Sequence, residues 1–340
     1  MEDQEKNLRK EFSGKRILIT GGTGSIGMGL IKQLIKYEPK SVRILTNDEN
    51  SIFEVKRAIG NNPVFTFVVG DVRDRERLNL AIRNIDIVFH AAAMKHVDIC
   101  EQNPFDAVKT NVIGTSNILE ASLIESVSKF VLISTDKATN PTSTLGASKL
   151  LAERLTLNAS VYRGTGNTKF VIVRFGNVIG SRGSVFQIFL HQIRNNLPLT
   201  VTDARMTRYI MSISEAAFMI LKVTYIANDG EIYILKMPSV RIEDLAKGMI
   251  DIFHSRFPDS KNISPIKISK TREGERFEEF LITQDELPYC HDNGDMYKIS
   301  REINKKIMPF TQFNSRTAEP INQKKLHKVI NELLDEYMQY

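Results

Sequence analysis

Asp136 and Lys137 are adjacent residues of opposite charge, separated by Thr135 alone from the apolar run 130–134. A carboxyl group and an amine side by side can serve as an acid and a base toward one bound molecule. Neighbouring opposite charges stabilise the ionised form of both groups, and on a surface turn they would form an ordinary solvated ion pair. The catalytic roles therefore require a site without water, where burial favours the neutral acid and the neutral amine.

A glycine-rich loop near the N-terminus is suited to bind a diphosphate. The run Arg16–Thr20 leads into the segment 21–27 (GGTGSIG), after which a helical pattern begins near Met28. Glycine lets the backbone approach a pyrophosphate, and the N-terminus of the helix offers free N–H groups. This order of strand, loop and helix is typical of dinucleotide-binding folds. The residues we expect to contact the cofactor are Gly21, Thr23, Gly24, Ser25, Ile26 and Gly27.

The residues after the second and third apolar runs bear on the choice of dinucleotide. Asn47 offers no charge to a 2′-phosphate and Asp48 would repel one, which favours NAD over NADP. Asp71 either accepts a hydrogen bond from the adenine amine or caps a helix. The basic residues that could reverse the choice of cofactor are Lys56 and Arg57. The expected cofactor contacts here are Asn47, Asp71 and Val72.

Strand and helix patterns alternate through the first half of the chain and predict an α/β protein with a Rossmann-type, doubly wound parallel sheet. The apolar, β-branched runs are 16–20, 42–46, 64–69, 85–90, 130–134 and 170–175, and the helical segments between them include 28–37, 51–59, 106–125 and 147–162. After Asn177 the alternation loosens into helices at 185–195 and 214–226 and a strand at 199–202. We predict a dinucleotide-binding domain of residues 1–176, rejoined by 213–239, and a smaller mixed α/β substrate domain of residues 177–212 and 240–340.

Composition excludes several classes of protein. The net charge is +6, but Lys and Arg are scattered among carboxylates, so we expect an anionic small-molecule ligand and no nucleic acid. No apolar run approaches the roughly 18 residues that span a bilayer, and the charged N-terminal residues fit a soluble, cytoplasmic protein without a membrane span. Cys100 and Cys290 are isolated thiols, which fits a reducing compartment and gives no zinc or other metal site.

Four segments together resemble the extended short-chain dehydrogenase/reductases. They are TGGTGSIG at 20–27, AAAMKHV at 91–97, KTN at 109–111 and STDKA at 134–138. Within that group the chain is most similar to the UDP-N-acetylglucosamine 4,6-dehydratases of capsule and flagellin-glycan synthesis, from about Lys15 to the C-terminal helix. The resemblance places Ala91, Ala92, Ala93, Asn111 and Lys149 at the cofactor and Lys95 near the substrate.

The second half of the chain carries the same resemblance, in segments that hold the nucleoside and the diphosphate. Arg208 and Arg272 can form forked contacts with phosphate oxygens, and the extended run 199–202 can present backbone groups to uracil. The substrate-binding residues it implies here are Asn177, Arg182, Ser184, Thr200, Val201, Arg208, Arg272 and Glu275.

The resemblance implies a reaction in which the cofactor takes a hydride from sugar C4 and later returns it to C6. Between these steps a base removes the C5 proton and an acid protonates the departing C6 hydroxyl, roles that fall to Lys137 and Asp136. The implied cofactor is NAD, with NADP as the alternative, tightly bound and recycled. The implied partners are a UDP-sugar and further copies of the chain, since related enzymes assemble as dimers or hexamers.

Leu145 departs from the pattern, because related dehydrogenases carry a tyrosine four residues before the lysine that corresponds to Lys149. Leucine cannot accept the C4 hydroxyl proton, which leaves that task to Thr135 relaying to solvent or to Lys137 serving twice. Two other functions stay open: a nucleotide-sugar epimerase without elimination, and a non-catalytic NAD(P)-binding protein.

Overall fold

The computed structural model describes residues 2–60, 62–258, 265–270 and 274–338. Its strands are β1 (Arg16–Thr20), β2 (Ser41–Thr46), β3 (Phe65–Val69), β4 (Ile87–His90), β5 (Lys129–Thr135), β6 (Lys169–Phe175), β7 (Asn177–Val178), β8 (Leu199–Val201), β9 (Thr207–Met211), β10 (Glu231–Leu235), β11 (Ser239–Arg241), β12 (Ile266–Ile268), β13 (Cys290–Asp292) and β14 (Met296–Ile299).

Its α-helices are α1 (Glu2–Phe12), α2 (Ser25–Leu34), α3 (Glu49–Ile59), α4 (Arg75–Ala81), α5 (Val97–Gln102), α6 (Pro104–Ala107), α7 (Gly114–Ile124), α8 (Thr144–Asn158), α9 (Val185–Arg194), α10 (Ile213–Ile226), α11 (Ile242–Arg256) and α12 (Gln323–Met338). A π-helix spans Val108–Ile113, and short 3-10 turns span Ile35–Tyr37, Asp136–Ala138, Ala159–Tyr162, Leu287–Tyr289 and Phe310–Phe313.

A large, mostly parallel sheet forms the centre of the molecule and confirms the predicted Rossmann-type architecture. Within the described residues its strand order is β13-β14-β10-β6-β5-β4-β1-β2-β3, and the strands from β3 to β10 pair in parallel. Strands β1 and β4 are almost completely buried, as apolar strands covered by helices on both faces must be. The chain leaves β1 toward one edge of the sheet and crosses β1 to continue at β4, so a ligand crevice is expected at the carboxyl ends of this pair.

The predicted helix 106–125 is interrupted in the structure. Residues 108–113 form the π-helix between α6 and α7, and Asn111 lies within it, buried. The predicted helix 147–162 begins earlier, at Thr144, because the Ser143 hydroxyl accepts a hydrogen bond from Gly146 N at 3.1 Å and caps the helix. Helix α8 therefore begins shortly after the Asp136–Ala138 turn.

A second, smaller apolar core lies on the carboxyl side of the sheet. It packs α9, α11 and α12 around β8 and includes Phe186, Phe189, Leu199, Met249 and Ile330. The hairpin of β13 and β14 lies elsewhere: although the sequence assigned residues 240–340 to the substrate domain, these strands extend the large sheet beside β10. The hairpin pairs with the large sheet because its apolar side chains, such as Cys290 and Met296, are fully buried in the large core.

Candidate active site

A cavity of about 1020 Å³ lies along the carboxyl ends of β1, β4, β5 and β6. Its wall includes residues at or directly after those strand ends, namely Gly21, Ala91, Thr135 and Gly176. It continues between the large sheet and the smaller core, where Thr200 and Leu245 form part of the wall. One continuous space therefore joins the expected cofactor site to the expected substrate site.

The glycine loop forms the cofactor end of the cavity from main chain. Gly21 has φ +64°, and a Cβ atom there would lie 2.7 Å from Ala92 Cα, so a larger residue would push the two loops apart. A Cβ atom on Gly27 would collide with the carbonyl of Gly22. Helix α2 begins at Ser25 without a side-chain cap or an acidic residue in its first turn. The cradle is thus shaped for a close, anionic ligand such as a diphosphate.

Asp71 lines the cofactor end of the cavity and is hydrogen-bonded to neighbouring side chains. Asn47 Nδ2 donates to Asp71 Oδ2 at 3.1 Å, and the Arg73 guanidinium donates to both carboxylate oxygens at 3.0 and 2.7 Å. Hydrogen bonds from Arg73 lower the pKa of Asp71, against the effect of partial burial. The alternative that Asp71 caps a helix is wrong, because the cap of α4 is Asp74.

Asp48 and the basic residues of α3 bear on the 2′-phosphate. Asp48 lines the cavity and caps α3 by accepting from the backbone at Asn50 and Ser51. Lys56 and Arg57 are not among the cavity-lining residues, and Lys56 Nζ lies 5.3 Å from the centroid of the Phe67 ring. The cavity wall therefore has a carboxylate near the end of β2. Neither Lys56 nor Arg57, the residues that could favour NADP over NAD, is among its lining residues.

A cluster of charged side chains forms the substrate end. Lys137 Nζ donates to Asp136 Oδ1 at 3.0 Å and to Asn177 Oδ1 at 3.1 Å, and it lies 3.4 Å from Glu279 Oε1. Burial lowers the pKa of Lys137, but attraction to Asp136 and Glu279 outweighs burial and raises it overall. The amine is therefore held as an ammonium ion by its acidic neighbours.

Asp136 is completely buried and is not among the residues that line the cavity. Its link to the cavity is Thr135, a lining residue whose hydroxyl donates to Asp136 Oδ1 at 3.0 Å. Asp136 Oδ2 has no hydrogen-bond partner among the described residues. The sequence predicted that the Asp136 carboxylate lines the site. In the structure it contacts the cavity only indirectly, through the Thr135 hydroxyl.

Glu279 is a lining residue that the sequence interpretation missed. Its side chain is 3% exposed, and it meets Arg208 Nε and Arg276 Nη1 at 3.7 Å each in addition to Lys137. Burial raises the pKa of its carboxyl group, and the nearby cations oppose that effect. An acidic pair, Glu278-Glu279, directly before the apolar run 280–282 was the available signal, since an acidic residue beside buried neighbours needs a buried partner.

Lys149 and Leu145 line the cavity on adjacent turns of α8. Lys149 Nζ donates to the carbonyl of Ile133 at 2.7 Å, and burial, partly offset by Glu153, lowers its pKa to about 8. Leu145 is buried in a small apolar cluster with Cys100 and Ala107. The position that would carry a tyrosine thus belongs to the packing between α5 and α8.

Several predicted substrate residues lie together where the smaller core meets the cavity: Lys95, Asn177, Arg182, Ser184, Thr200, Arg208 and Glu275. Ser184 precedes α9, and its buried hydroxyl has no partner among the described residues. Lys95 Nζ donates to the carbonyl of Arg182 at 2.5 Å. The N-terminus of α9 and these polar groups are of a kind that suits an anion.

Arg208 has partners other than a phosphate in this structure. Its guanidinium donates to the carbonyls of Thr207 and Arg276 at 2.8 Å each, and it is 8% exposed. It therefore positions the segment that carries Glu275 and Glu279. The predicted contact between Arg208 and a phosphate would use the guanidinium N–H groups that do not donate to these two carbonyls.

Two further predicted residues, Asn111 and Val201, are not among the described residues that line the cavity. Asn111 is used internally, bonding the main chain of Met94 and the hydroxyl of Ser148. Val201 is buried in the smaller core, between the lining residues Thr200 and Thr202. Arg272 lies outside the described residues.

A cluster of buried charged residues connects the elements that carry the site. Arg174, 1% exposed in β6, bonds Glu153 of α8 and Glu286 at distances from 2.6 to 3.1 Å. Ser134, next to Thr135, donates to Glu153 Oε1 at 2.6 Å. The cluster ties the end of β5 to α8 and to the segment that follows Glu279.

The doubly wound sheet, the glycine loop at its crossover and the lysine-bearing helix after β5 define an extended short-chain dehydrogenase/reductase fold. The family described as "Polysaccharide biosynthesis protein" matches residues 17–301. The chain belongs to this family.

Two curated proteins and one solved structure illustrate the relationship. The chain is 46% identical over 333 residues to a Methanocaldococcus jannaschii protein named "Uncharacterized membrane protein MJ1061", covering 96% of this chain and 98% of that protein. It is 35% identical over 335 residues to the UDP-glucose 4-epimerase of Rickettsia rickettsii, covering 94% and 96%. The crystal structure of Pen from Bacillus thuringiensis is similar with a TM-score of 0.89 and 37% identity, covering 94% of this chain and 98% of that one.

The question of a membrane span arises from the first of these names. In the part of the chain that the structure describes, no helix is both long and apolar enough to cross a bilayer.

Proposed function

We propose that the protein is a nucleotide-sugar 4,6-dehydratase that converts UDP-N-acetylglucosamine to a UDP-4-keto-6-deoxy sugar. The observation that carries the proposal is the Lys137 amine at the cavity wall, within 3.0 Å of the Asp136 carboxylate and 3.4 Å of Glu279. An amine that exchanges a proton with a buried carboxylate suits removal of a C5 proton and delivery of a proton to the C6 hydroxyl. Epimerisation at C4 needs neither step.

The cofactor end fits a nicotinamide dinucleotide, because the close packing at Gly21 and Gly27 holds the glycine loop in front of the uncapped N-terminus of α2. When bound, NAD would supply the hydride acceptor for C4 and the hydride donor for C6. The residues proposed to hold it are Gly21, Thr23, Gly24, Ser25, Ile26, Gly27, Asn47, Asp71, Val72, Ala91, Ala92, Ala93 and Lys149. The Asp48 carboxylate disfavours a 2′-phosphate, so NAD is proposed over NADP.

The substrate end offers groups for a nucleoside diphosphate. The free hydroxyl of Ser184 and the N–H groups that begin α9 face the cavity and suit a diphosphate. Thr200 in β8 and Thr202 directly after that strand line the cavity and suit the edge of uracil.

We assign to Lys137 two successive proton transfers, which removes the need for a tyrosine at Leu145. The ammonium ion must first lose a proton to solvent, and the neutral amine then takes the C4 hydroxyl proton and passes it along the 3.0 Å hydrogen bond to Asp136. The amine, neutral again, then removes the C5 proton, while the protonated Asp136 delivers its proton through the Thr135 hydroxyl to the departing C6 hydroxyl. Lys137 finally returns its proton to C5, and both groups regain their starting states.

A second candidate is a UDP-sugar 4-epimerase, favoured by the name of the Rickettsia rickettsii relative. A third, a non-catalytic NAD-binding protein, is favoured by Leu145. The purified protein should be incubated with NAD and, in parallel, with UDP-N-acetylglucosamine and UDP-glucose, and the mass and stereochemistry of the products recorded. Loss of water supports the dehydratase. Unchanged mass with inverted C4 establishes the epimerase, and recovery of both sugars unchanged leaves the binding protein.

A further inference from the structure

We infer that Glu279 is a positioning residue, which fixes the Lys137 amine at the cavity wall and sets the pH range in which that amine accepts a proton. Its catalytic consequence rests on the proposed function. Its effect on the titration of Lys137 does not, because that effect follows from the geometry of the charges alone.

The Lys137 amine has an acceptor in three directions. Asp136 Oδ1, Asn177 Oδ1 and Glu279 Oε1 lie 3.0, 3.1 and 3.4 Å from Nζ. A lysine side chain has a long, flexible stem, and an amine that serves two proton transfers must stay within reach of both donors. Glu279 supplies the contact that comes from a segment remote in sequence from β5.

Glu279 itself is held rigidly by its main chain. Its N–H donates to the Ser315 hydroxyl at 2.9 Å, Ser315 N–H donates back to its carbonyl at 2.9 Å, and the Ser315 hydroxyl lies 2.8 Å from Thr207 Oγ1. The side-chain atom Oε2 is buried without a hydrogen-bond partner among the described residues. The carboxylate is therefore not consumed by a structural hydrogen bond, and its charge acts on the neighbouring cations.

The charged groups around Lys137 come from several elements. Asp136 belongs to the turn after β5, Arg208 to β9, and Glu279 and Arg276 to the segment before β13. Burial lowers the pKa of Lys137, Asp136 and Glu279 raise it, and Arg208 lowers it further, with a raised pKa as the net result. Removing the charge of Glu279 removes one of the two groups that favour the ammonium form, so the neutral amine forms at lower pH.

The variant Glu279→Gln tests this role because it keeps the size of the side chain and removes the charge. The readout is exchange of the C5 hydrogen with deuterated solvent, measured across pH. We expect the midpoint of the alkaline rise to move down by about one pH unit. The plateau rate should fall about tenfold or more, because the amine loses its fixed position. In Glu279→Asp, the restored charge should bring the midpoint back toward that of the unaltered protein. A lower plateau with an unmoved midpoint would show a merely structural role and overturn the inference.

A second readout does not depend on the reaction. Trace labelling of lysine amines with acetic anhydride across pH, quantified peptide by peptide, gives the titration of Lys137 in the substrate-free protein. We expect the Lys137 midpoint to be lower in Glu279→Gln, and an identical midpoint would overturn the inference whatever the protein catalyses. A lowered midpoint in a protein without dehydratase activity would uphold this role of Glu279 and reject the proposed function.

Glu275→Gln is the matched control. Glu275 lies on the same segment, and its Oε1 is 3.3 Å from Thr202 Oγ1 and 3.7 Å from Arg208 Nη2. Its loss should change substrate affinity while leaving the Lys137 midpoint within a few tenths of a pH unit. An equal shift in both variants would contradict a specific role for Glu279.

Discussion

At the Gly21–Gly27 end of the cavity a glycine loop brings main chain to the wall, whereas at the Lys137 end charged side chains from remote segments meet. The first end depends on close packing, as the contact expected between a Cβ atom at Gly21 and Ala92 illustrates. The second depends on mutual charge: Lys137, Glu279 and Arg208 are all buried or largely buried, and each needs the others. A ligand can be held by shape at one end and changed chemically at the other. The comparison predicts that a substitution at one end impairs cofactor binding or proton transfer there and leaves the other end unchanged.

The largest expected effect comes from Lys137. Lys137→Met should reduce C5 hydrogen exchange about a thousandfold or more, since the base is removed. Lys137→Arg keeps the positive charge between Asp136 and Glu279 but cannot give up a proton, and should be equally inactive. Deuterium incorporation at C5 measures the loss. NAD affinity, measured by calorimetry, should stay within about twofold, and a parallel loss of NAD binding would break the separation of the two ends.

Arg174 tests the support behind the charged end. Arg174→Met leaves the carboxylates of Glu153 and Glu286 buried and unpaired, which should lower the free energy of unfolding by about 3–5 kcal/mol. Chemical denaturation measures the change. Arg205→Met is the control, because Arg205 is 74% exposed beside Asp203 and its loss should cost less than about 1 kcal/mol. Equal costs would show that the ion cluster does not contribute to stability.

Lys149 should make the stability of the folded protein depend on pH. Burial lowers its pKa to about 8 in the folded protein, below the usual value of 10.5. Between these values the unfolded chain binds a proton that the folded chain does not, so stability rises with pH. From about pH 8 to about pH 10, the free energy of unfolding should rise by about 2 kcal/mol more in the unaltered protein than in Lys149→Met. Parallel profiles from denaturation at each pH would contradict the buried, weakly basic amine.

Two helical glycines give the smallest and most selective test. Gly27→Ala brings a methyl group against the Gly22 carbonyl and should weaken NAD binding about tenfold, without changing the titration of Lys137. In α11, a Cβ atom at Gly248 would meet nothing closer than 3.5 Å, so Gly248→Ala should leave NAD affinity unchanged and raise stability by up to about 1 kcal/mol. Calorimetry with NAD and thermal unfolding measure both. Similar affinities in the two variants would remove the packing argument for the cofactor end.

The sequence predicted the main-chain end of the cavity better than the charged end. A glycine loop between a strand and a helix is a local pattern, and the parallel sheet follows from alternating periodicities. Asp136 and Lys137 were found because they are neighbours in the chain. Glu279 was missed because its role exists only through contacts across the fold, which no spacing records. Arg174 was likewise hidden inside the apolar run 170–175, although a charge there required buried partners.

Asn111 shows the opposite error of a local pattern. Its position in a short motif suggested a contact with the cofactor, but its amide bonds Met94 and Ser148 and supports the loop after β4 instead. The π-helix that carries it gave no periodicity from which this inward orientation could be predicted. A motif identifies a residue more reliably than it identifies which partner the side chain will choose.

The short loop from Gly180 to Ser184 bridges the two ends of the cavity. Arg182 N donates to the Ser25 hydroxyl of the glycine loop at 3.0 Å, its guanidinium pairs with Glu54 of α3 at 2.8 Å, and Tyr337 of α12 holds the carbonyl of Gly180 at 2.7 Å. These contacts tie the loop before α9 to the glycine loop, to α3 and to α12, so one short loop forms part of the cavity wall at both ends.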